Sequence, residues 1–300
     1  MQDTWLSKLF KRVGFISNSS KNTVTPDGLW KKCDHCHNTI LTDLLKKNLQ
    51  VCTCGYHFRI SVTERIHQIF DEGYKSINFN IQFRDPIEFK DLKSYKSRFD
   101  DAQKKTNAQE AFQIVDGFIG NQRCIALLMN FDFIGGSMGT AVGEAIKISS
   151  ELAIEHKLPL VLFSASGGAR MQEGLFSLMQ MPKTTIAVER LKQHHLPFIS
   201  VLTHPTTGGV LASFAMRGSI TIAEPNSIIG FTGARVIESV MKVKLPENFQ
   251  TPEFVKDKGF IDHVIHRKDL KPFLAKIIRI TTACTPDINC TDTQNIQSVS

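Results

Sequence analysis

Two stretches of this chain repeat one pattern of apolar, small and again apolar positions. In the first, Leu160 to Phe163 is an unbroken apolar run and Ser164 to Gly168 holds only small residues. Met171, Leu175, Leu178 and Met179 then recur at helical spacing. The pattern predicts a buried strand, a tight turn and a helix. In the second, Phe198 to Leu202 predicts a strand and Thr206-Thr207-Gly208-Gly209 a turn. Gly209, Ala212, Ser213 and Ala215 then predict a closely packed helix. A strand that enters a helix through such a turn presents backbone N–H groups, which suit an anion or a developing oxyanion. A glycine turn that only relieves backbone strain has the same spelling. Two such turns raise the weight of a paired-donor site.

The rest of the pattern alternates strand and helix, which predicts an α/β fold. Strands are expected within 114–129, with Arg123 to Met129 the clearest. Gly135-Gly136-Ser137-Met138-Gly139 then precedes a helix. This loop spells neither a P-loop nor a dinucleotide fingerprint, so it reads as a phosphate cradle or as close helix packing. A helix over 182–197 ends in His194-His195-Leu196-Pro197. Adjacent rings diverge on a helix, so the two histidines do not face a common ion. Strands follow at 219–231, and further helices at 234–243, 251–258 and 268–283. Val240-Met241-Lys242-Val243 has the look of a biotinylation tetrapeptide, but it falls on a helical pattern and is read as helix.

Residues 1–27 form a basic arm in which Trp5, Leu6, Leu9, Phe10 and Val13 alternate with Lys8, Lys11 and Arg12. It lacks the apolar core and cleavage pattern of a secretion signal. Residues 28–60 form a small module, 61–283 the main domain, and 284–300 a polar tail read as disordered. The lysine-rich run from Glu88 to Phe112 reads as a solvated helical face.

Cysteines change the picture of the small module. Cys33 and Cys36 form a C-x2-C knuckle, followed by Cys52 and Cys54. The spacing predicts a zinc ribbon whose metal supplies folding energy that so short a segment cannot obtain from a core. The second pair is one residue short of a knuckle, so the fourth ligand is Cys54 or His57, with His35 and His37 also near. Cys54 is preferred because thiolates dominate structural zinc sites. Cys124, Cys284 and Cys290 have no histidine at a motif spacing and are read as structural. Four clustered cysteines of seven point to a reducing, cytoplasmic compartment. No apolar run is long enough to span a membrane. The net charge of +7 suits anionic partners: CoA phosphates, an acidic subunit or nucleic acid.

The motifs SASGGARMQEG, PTTGGV, IAEP, IIGF, RVIE and KLPE closely resemble the beta subunit of the acetyl-CoA carboxylase carboxyltransferase of the multi-subunit type. The resemblance runs from about Gly28 to about Arg267. It implies a crotonase-like spiral of ββα units behind an N-terminal zinc ribbon. It also implies transfer of a carboxyl group from carboxybiotin to acetyl-CoA, giving malonyl-CoA for fatty acid synthesis. The biotin is carried by a separate biotin carboxyl carrier protein. An alpha subunit (in an alpha2beta2 assembly) and a biotin carboxylase complete the system. Backbone N–H groups around Gly167, Gly168, Gly208 and Gly209 are the expected enolate-stabilising donors. Gly135, Gly136, Ser137, Met138 and Gly139 would border the acyl-CoA. Arg170 would close the turn or touch CoA, and Glu173 would cap the helix start. In this family the biotin anion accepts the substrate proton, which fits the lack of a side-chain base in either turn. The chain departs from the family at His204, where aspartate is usual, and at Arg217, Ser219, Thr232 and Ala234. The competing readings are another acyl-CoA enolate enzyme of the same scaffold and a zinc-ribbon nucleic-acid binder. The latter lacks the aromatic–basic strand pattern of single-strand binders.

Overall fold

The computed structural model describes residues 29–79 and 83–283. The basic arm, the polar tail, Cys284 and Cys290 lie outside the described residues. The ribbon comprises β1 (Trp30–Lys32), β2 (Thr39–Leu41) and α1 (Thr42–Lys47). The main domain follows with α2 (Val62–Ile69), β3 (Lys75–Ile77), α3 (Tyr95–Thr106), β4 (Phe112–Ile119), β5 (Gln122–Met129) and α4 (Thr140–Glu155). Next come β6 (Leu160–Ser166), α5 (Leu175–Leu178), α6 (Gln180–Gln193), β7 (Phe198–Thr207) and α7 (Gly208–Leu211). The chain closes with β8 (Ile220–Ala223), β9 (Ile229–Gly230), α8 (Ala234–Met241), α9 (Pro252–Asp257), β10 (His263–Val264) and α10 (Arg267–Ala283).

One sheet of eight strands runs in the order β10-β8-β7-β6-β5-β4-β3, with β9 paired to the far end of β7. From β5 to β10 neighbouring strands are parallel, while β3, β4 and β5 are antiparallel. Parallel strands covered on both faces read as continuous apolar runs, which is why β6 shows no alternation. Its Leu160 and Leu162 join the core under α4 and α6, and its Val161 and Phe163 join the core under α2 and α10.

The helix expected from Met171 to Met179 is broken. A 3-10 turn (Met171–Glu173) leads to Gly174 at φ 54°, and two helices follow in place of one. The apolar positions that helical spacing assigns to a core are instead exposed: Met171 at 65%, Leu175 at 68%, Met179 at 53%. Among the described residues, no surface covers them.

The ribbon docks on the strand ends of the main domain. Arg267, at the start of α10, donates Nη1 to the carbonyl of Leu49 at 2.9 Å, and Asn226 donates Nδ2 to the carbonyl of Gly55 at 3.0 Å. Glu224, at the end of β8, accepts from Arg267 Nη2 at 2.7 Å and from Arg65 Nη1 at 2.5 Å, and all three side chains are buried. His57 is sealed into the same junction at 2% exposure, edge-on to His266 with centroids 4.5 Å apart. Neither of its ring nitrogens has a hydrogen-bond partner.

Burial first, and Arg267 next, push the His57 imidazole down to about 4. The unfolded chain takes up this proton near pH 6.5 and the folded chain does not until about pH 4. Its contribution is therefore complete above about pH 6.5 and is lost as the pH falls toward 4, by about 3 kcal/mol in all. Urea unfolding at pH 7.5, 6.5 and 5.5 should show a steeper acid loss in the wild type than in His57→Leu. Parallel slopes in the two proteins would contradict the assignment.

Candidate active site

The two glycine turns meet. β6 and β7 run in register until Ser164 pairs with Leu202, and then Ser166 pairs with Thr206. The two extra residues on β7 are held by Thr203 Oγ1 and Thr206 Oγ1, which both donate to the carbonyl of Ser164, at 2.7 and 3.1 Å. Thr207 Oγ1 donates to the carbonyl of Ser166 at 3.1 Å. This slip carries Gly208 against Gly168. A Cβ on Gly208 would stand 3.1 Å from the Gly168 Cα, and one on Gly168 would stand 3.4 Å from the Gly208 Cα. Both glycines also have positive φ, 120° at Gly168 and 59° at Gly208. Backbone conformation favours glycine at both positions, and closeness adds to it at Gly208.

The amide N–H groups of these turns are mostly spent within the protein. Gly167 donates to the carbonyl of Gly135 at 2.9 Å, Gly168 to Ser166 Oγ at 3.0 Å, and Gly208 to the carbonyl of Phe231 at 3.0 Å. Of the four glycines expected to supply donors, three are therefore committed elsewhere. Among the described residues, the N–H groups of Ala169 and Gly209 meet no acceptor. They come from adjacent positions, since a Cβ on Gly209 would lie 3.5 Å from that of Ala169. Gly209 stands in the first turn of α7, where amides have no intrahelical partner.

The Gly135–Gly139 loop braces the first turn. Met138 N–H donates to the carbonyl of Gly168 at 2.8 Å, and Arg170 N–H donates to the carbonyl of Met138 at 2.9 Å. Ser137 and Met138 are buried, and Ser137 gives both its hydroxyl and its carbonyl oxygen to Arg170. Ser137 and Met138 thus fit the reading of this loop as close packing.

Arg170 fits the reading in which it closes the turn. It is 1% exposed and every guanidinium nitrogen is engaged. Nε donates to Ser137 Oγ at 3.1 Å, Nη1 to Tyr95 Oη and Glu110 Oε2 at 3.0 Å each, and Nη2 to Glu110 Oε1 at 2.5 Å. No donor remains for CoA. Glu173 accepts from Tyr95 Oη at 2.8 Å and from Thr140 N–H at 2.6 Å. It therefore caps α4, where the helix dipole favours an acid, and not the helix that follows it in sequence. Glu110 and Tyr95 carried no signal in the sequence, lying in the lysine-rich run read as a solvated face.

The four cysteines of the ribbon gather. Their Sγ atoms all lie within 4.8 Å of one another, with Cys33 and Cys54 at 3.8 Å and Cys36 and Cys52 at 3.6 Å. Sulfurs about 2.3 Å from a tetrahedral zinc ion stand about 3.8 Å apart. His57 is not among them. The Cys52 thiol, raised by burial, is brought down to about 7 by hydrogen bonds from Cys54 and the other thiols, which favours the thiolate that binds metal.

Known proteins place this geometry. The model of the carboxyl transferase domain matches residues 87–270. The acetyl-coenzyme A carboxylase carboxyl transferase subunit beta of Granulibacter bethesdensis is 48% identical over 86% of this chain and 85% of its own length. A relative from Natranaerobius thermophilus, named as carboxyl transferase subunits beta/alpha, is also 48% identical, and the match spans 47% of it. Among solved structures, transcarboxylase 12S superposes with a TM-score of 0.60 at 20% identity, over 78% of this chain and 46% of that one. A malonate decarboxylase hetero-dimer of Pseudomonas superposes with a TM-score of 0.57 at 18% identity, over 74% and 86%. The fold is thus crotonase-like, and the chain belongs to the carboxyl transferase domain family, among the acetyl-CoA carboxylase carboxyl transferase beta subunits.

Proposed function

We infer that this chain is the acetyl-CoA half of a biotin-dependent carboxyltransferase, forming malonyl-CoA. The observation that carries the mechanism is the pair of unspent amides, Ala169 N–H and Gly209 N–H, brought side by side by the contact of two glycine turns. When the acetyl methyl loses its proton, negative charge gathers on the thioester oxygen. Two fixed N–H dipoles stabilise that charge without reorganising. Arg170, Glu110 and Ser137 act behind the turn and hold its backbone in place. The hydrogen bonds of the two turns involve no carboxylate or imidazole among the described residues. Carboxybiotin, on its carrier protein, supplies the carboxyl group and the base.

The partner is an alpha-type carboxyltransferase subunit that supplies the biotin-binding half. The support is a set of exposed apolar side chains on the segments that follow the turns. It takes in Leu175 and Phe176 on α5, Phe231 next to Gly208, and Val236, Val240 and Met241 on α8. Apolar patches of this extent mark interaction surfaces. Cys33, Cys36, Cys52 and Cys54 are the ligands we assign to a structural Zn²⁺, because the sulfur spacing suits a tetrahedral ion. The ribbon core is otherwise only a few side chains, including Leu45 and Phe58. No described helix is long and apolar enough to cross a membrane.

Three outcomes are expected. Gly168→Ala, strained at φ 120°, should displace the neighbouring Ala169 amide and lower carboxyl transfer about a hundredfold or more, the usual effect of losing one oxyanion donor. Gly167→Ala, which has room for a methyl and whose amide is already spent, should keep most of the activity. Equal losses in both folded variants would sink the donor assignment. The purified chain should carboxylate acetyl-CoA only when an alpha subunit is added, and full activity without one would refute the half-site reading. Metal analysis should give one zinc per chain. Cys54→Ser should lose it, whereas His57→Ala should retain it, and the reverse pattern would transfer the fourth ligand to the histidine.

A further inference from the structure

The ends of β5, β6 and β7 also border a second cavity, on the sheet face covered by α2 and α10. Its volume is about 40 Å³, room for about three waters or one small oxyanion. The charged side chains on its wall are Arg59, Arg65, Arg267, Glu224 and Asp132, and His204 stands among them. Arg59 and Asp132 are exposed at the rim, so the buried part holds two guanidinium groups and one carboxylate.

The one carboxylate is shared by Arg267 and Arg65. Nε and Nη2 of Arg267 bind Glu224 at 3.0 and 2.7 Å, and its Nη1 goes to the ribbon carbonyls. Arg65 adds only Nη1, at 2.5 Å to Glu224 and 3.4 Å to Gln68 Oε1. Among the described residues, Nε and Nη2 of Arg65 make no hydrogen bond and keep some contact with solvent, on a side chain that is 7% exposed. Burial pushes this guanidinium below its usual range, against the pull of Glu224. A net positive charge enclosed in this way is costly unless a counter-charge reaches it.

His204 adds a donor. Its Nδ1 accepts from Ile228 N–H at 3.2 Å, so in the neutral ring the proton sits on Nε2. Burial holds the ring below its usual range and hence neutral near pH 7. A carboxylate at this position would have balanced Arg65 from within the chain; a histidine leaves the balance to something else.

We propose that this cavity binds one small oxyanion, a carboxylate or phosphate group, between the free edge of Arg65 and the Nε2–H of His204, with Arg59 guarding the mouth. The site is distinct from the oxyanion turn and does not rest on the reading of that turn.

Titration calorimetry of the full chain at constant ionic strength tests it, using inorganic phosphate, malonate and bicarbonate in separate runs. Saturable binding of one ion per chain is expected at millimolar concentration or below. Saturation by phosphate alone would identify a phosphate source, and by malonate or bicarbonate a carboxylate source. Arg65→Met leaves Glu224 balanced by Arg267 and should weaken binding by about tenfold or more, the effect of losing a charge-assisted contact. His204→Asp supplies a resident carboxylate and should weaken binding similarly, even if Arg65→Met does not fold. Arg59→Ala, at the exposed rim, should weaken it by about threefold. Heats of dilution alone with all three ions, or His204→Asp binding as tightly as the wild type, would overturn the proposal.

Discussion

The close approach of two backbones, Gly168 against Gly208, is the constraint on which the candidate site depends. Two strand-to-helix turns can share a substrate oxygen only if their backbones touch, and they touch only if neither carries a side chain. The register slip between β6 and β7 makes the approach. Without the two extra residues of β7, pairing would continue in step and Gly208 would not reach Gly168. The threonines of the slip restore its hydrogen bonds, each giving a hydroxyl to a β6 carbonyl. Buried carbonyls freed by an irregular ladder need such partners, and Thr203, Thr206 and Thr207 supply them at no loss of strand propensity.

Two buried charge clusters then fix where the turns sit. One gathers Arg170, Glu110, Tyr95 and Glu173 from three separate elements and ties the first turn to the 135–139 loop and to the start of α4. The other gathers Arg65, Glu224 and Arg267 and seats the ribbon on the strand ends. Buried ion pairs contribute little net stability against apolar replacements, because desolvation offsets the attraction. Their hydrogen bonds are directional, however, and an arginine with every nitrogen occupied admits few arrangements. The first cluster is closed in that sense and the second is not. That difference separates a brace from a cavity able to take a ligand.

The parallel strands and their order along the chain were legible because a strand buried on both faces needs an unbroken apolar run, and Leu160 to Phe163 and Phe198 to Leu202 are such runs. The cysteine cluster was legible because ligand spacing is local. Glu110 was not: a carboxylate that meets Arg170 across 60 positions leaves no trace in periodicity, and its neighbours are exposed lysines. The choice among turn amides was equally hidden. Sequence locates a glycine, but whether its N–H is free depends on which carbonyl comes opposite, and Gly135 and Phe231 come from distant segments. The helix expected over Met171 to Met179 failed for a different reason. Its apolar spacing reads as a core face, yet Gly174 at φ 54° breaks the helix and leaves those side chains exposed.

On the proposed reading of Ala169 and Gly209 as oxyanion donors, the division of labour among amides accounts for a site without charged catalytic side chains. An arginine or lysine near the thioester would bind the neutral ground state weakly, but it would also attract the product carboxylate and the CoA phosphates. A pair of N–H dipoles at Ala169 and Gly209 acts over a short range and favours only charge that develops at one point. Such dipoles work only if they cannot turn away, which requires the neighbouring amides to be bonded. The donations of Gly167, Gly168 and Gly208 are therefore as necessary as the freedom of the two that remain. A turn with all five amides unspent would be mobile, and its dipoles would reorganise with the charge instead of standing ready for it.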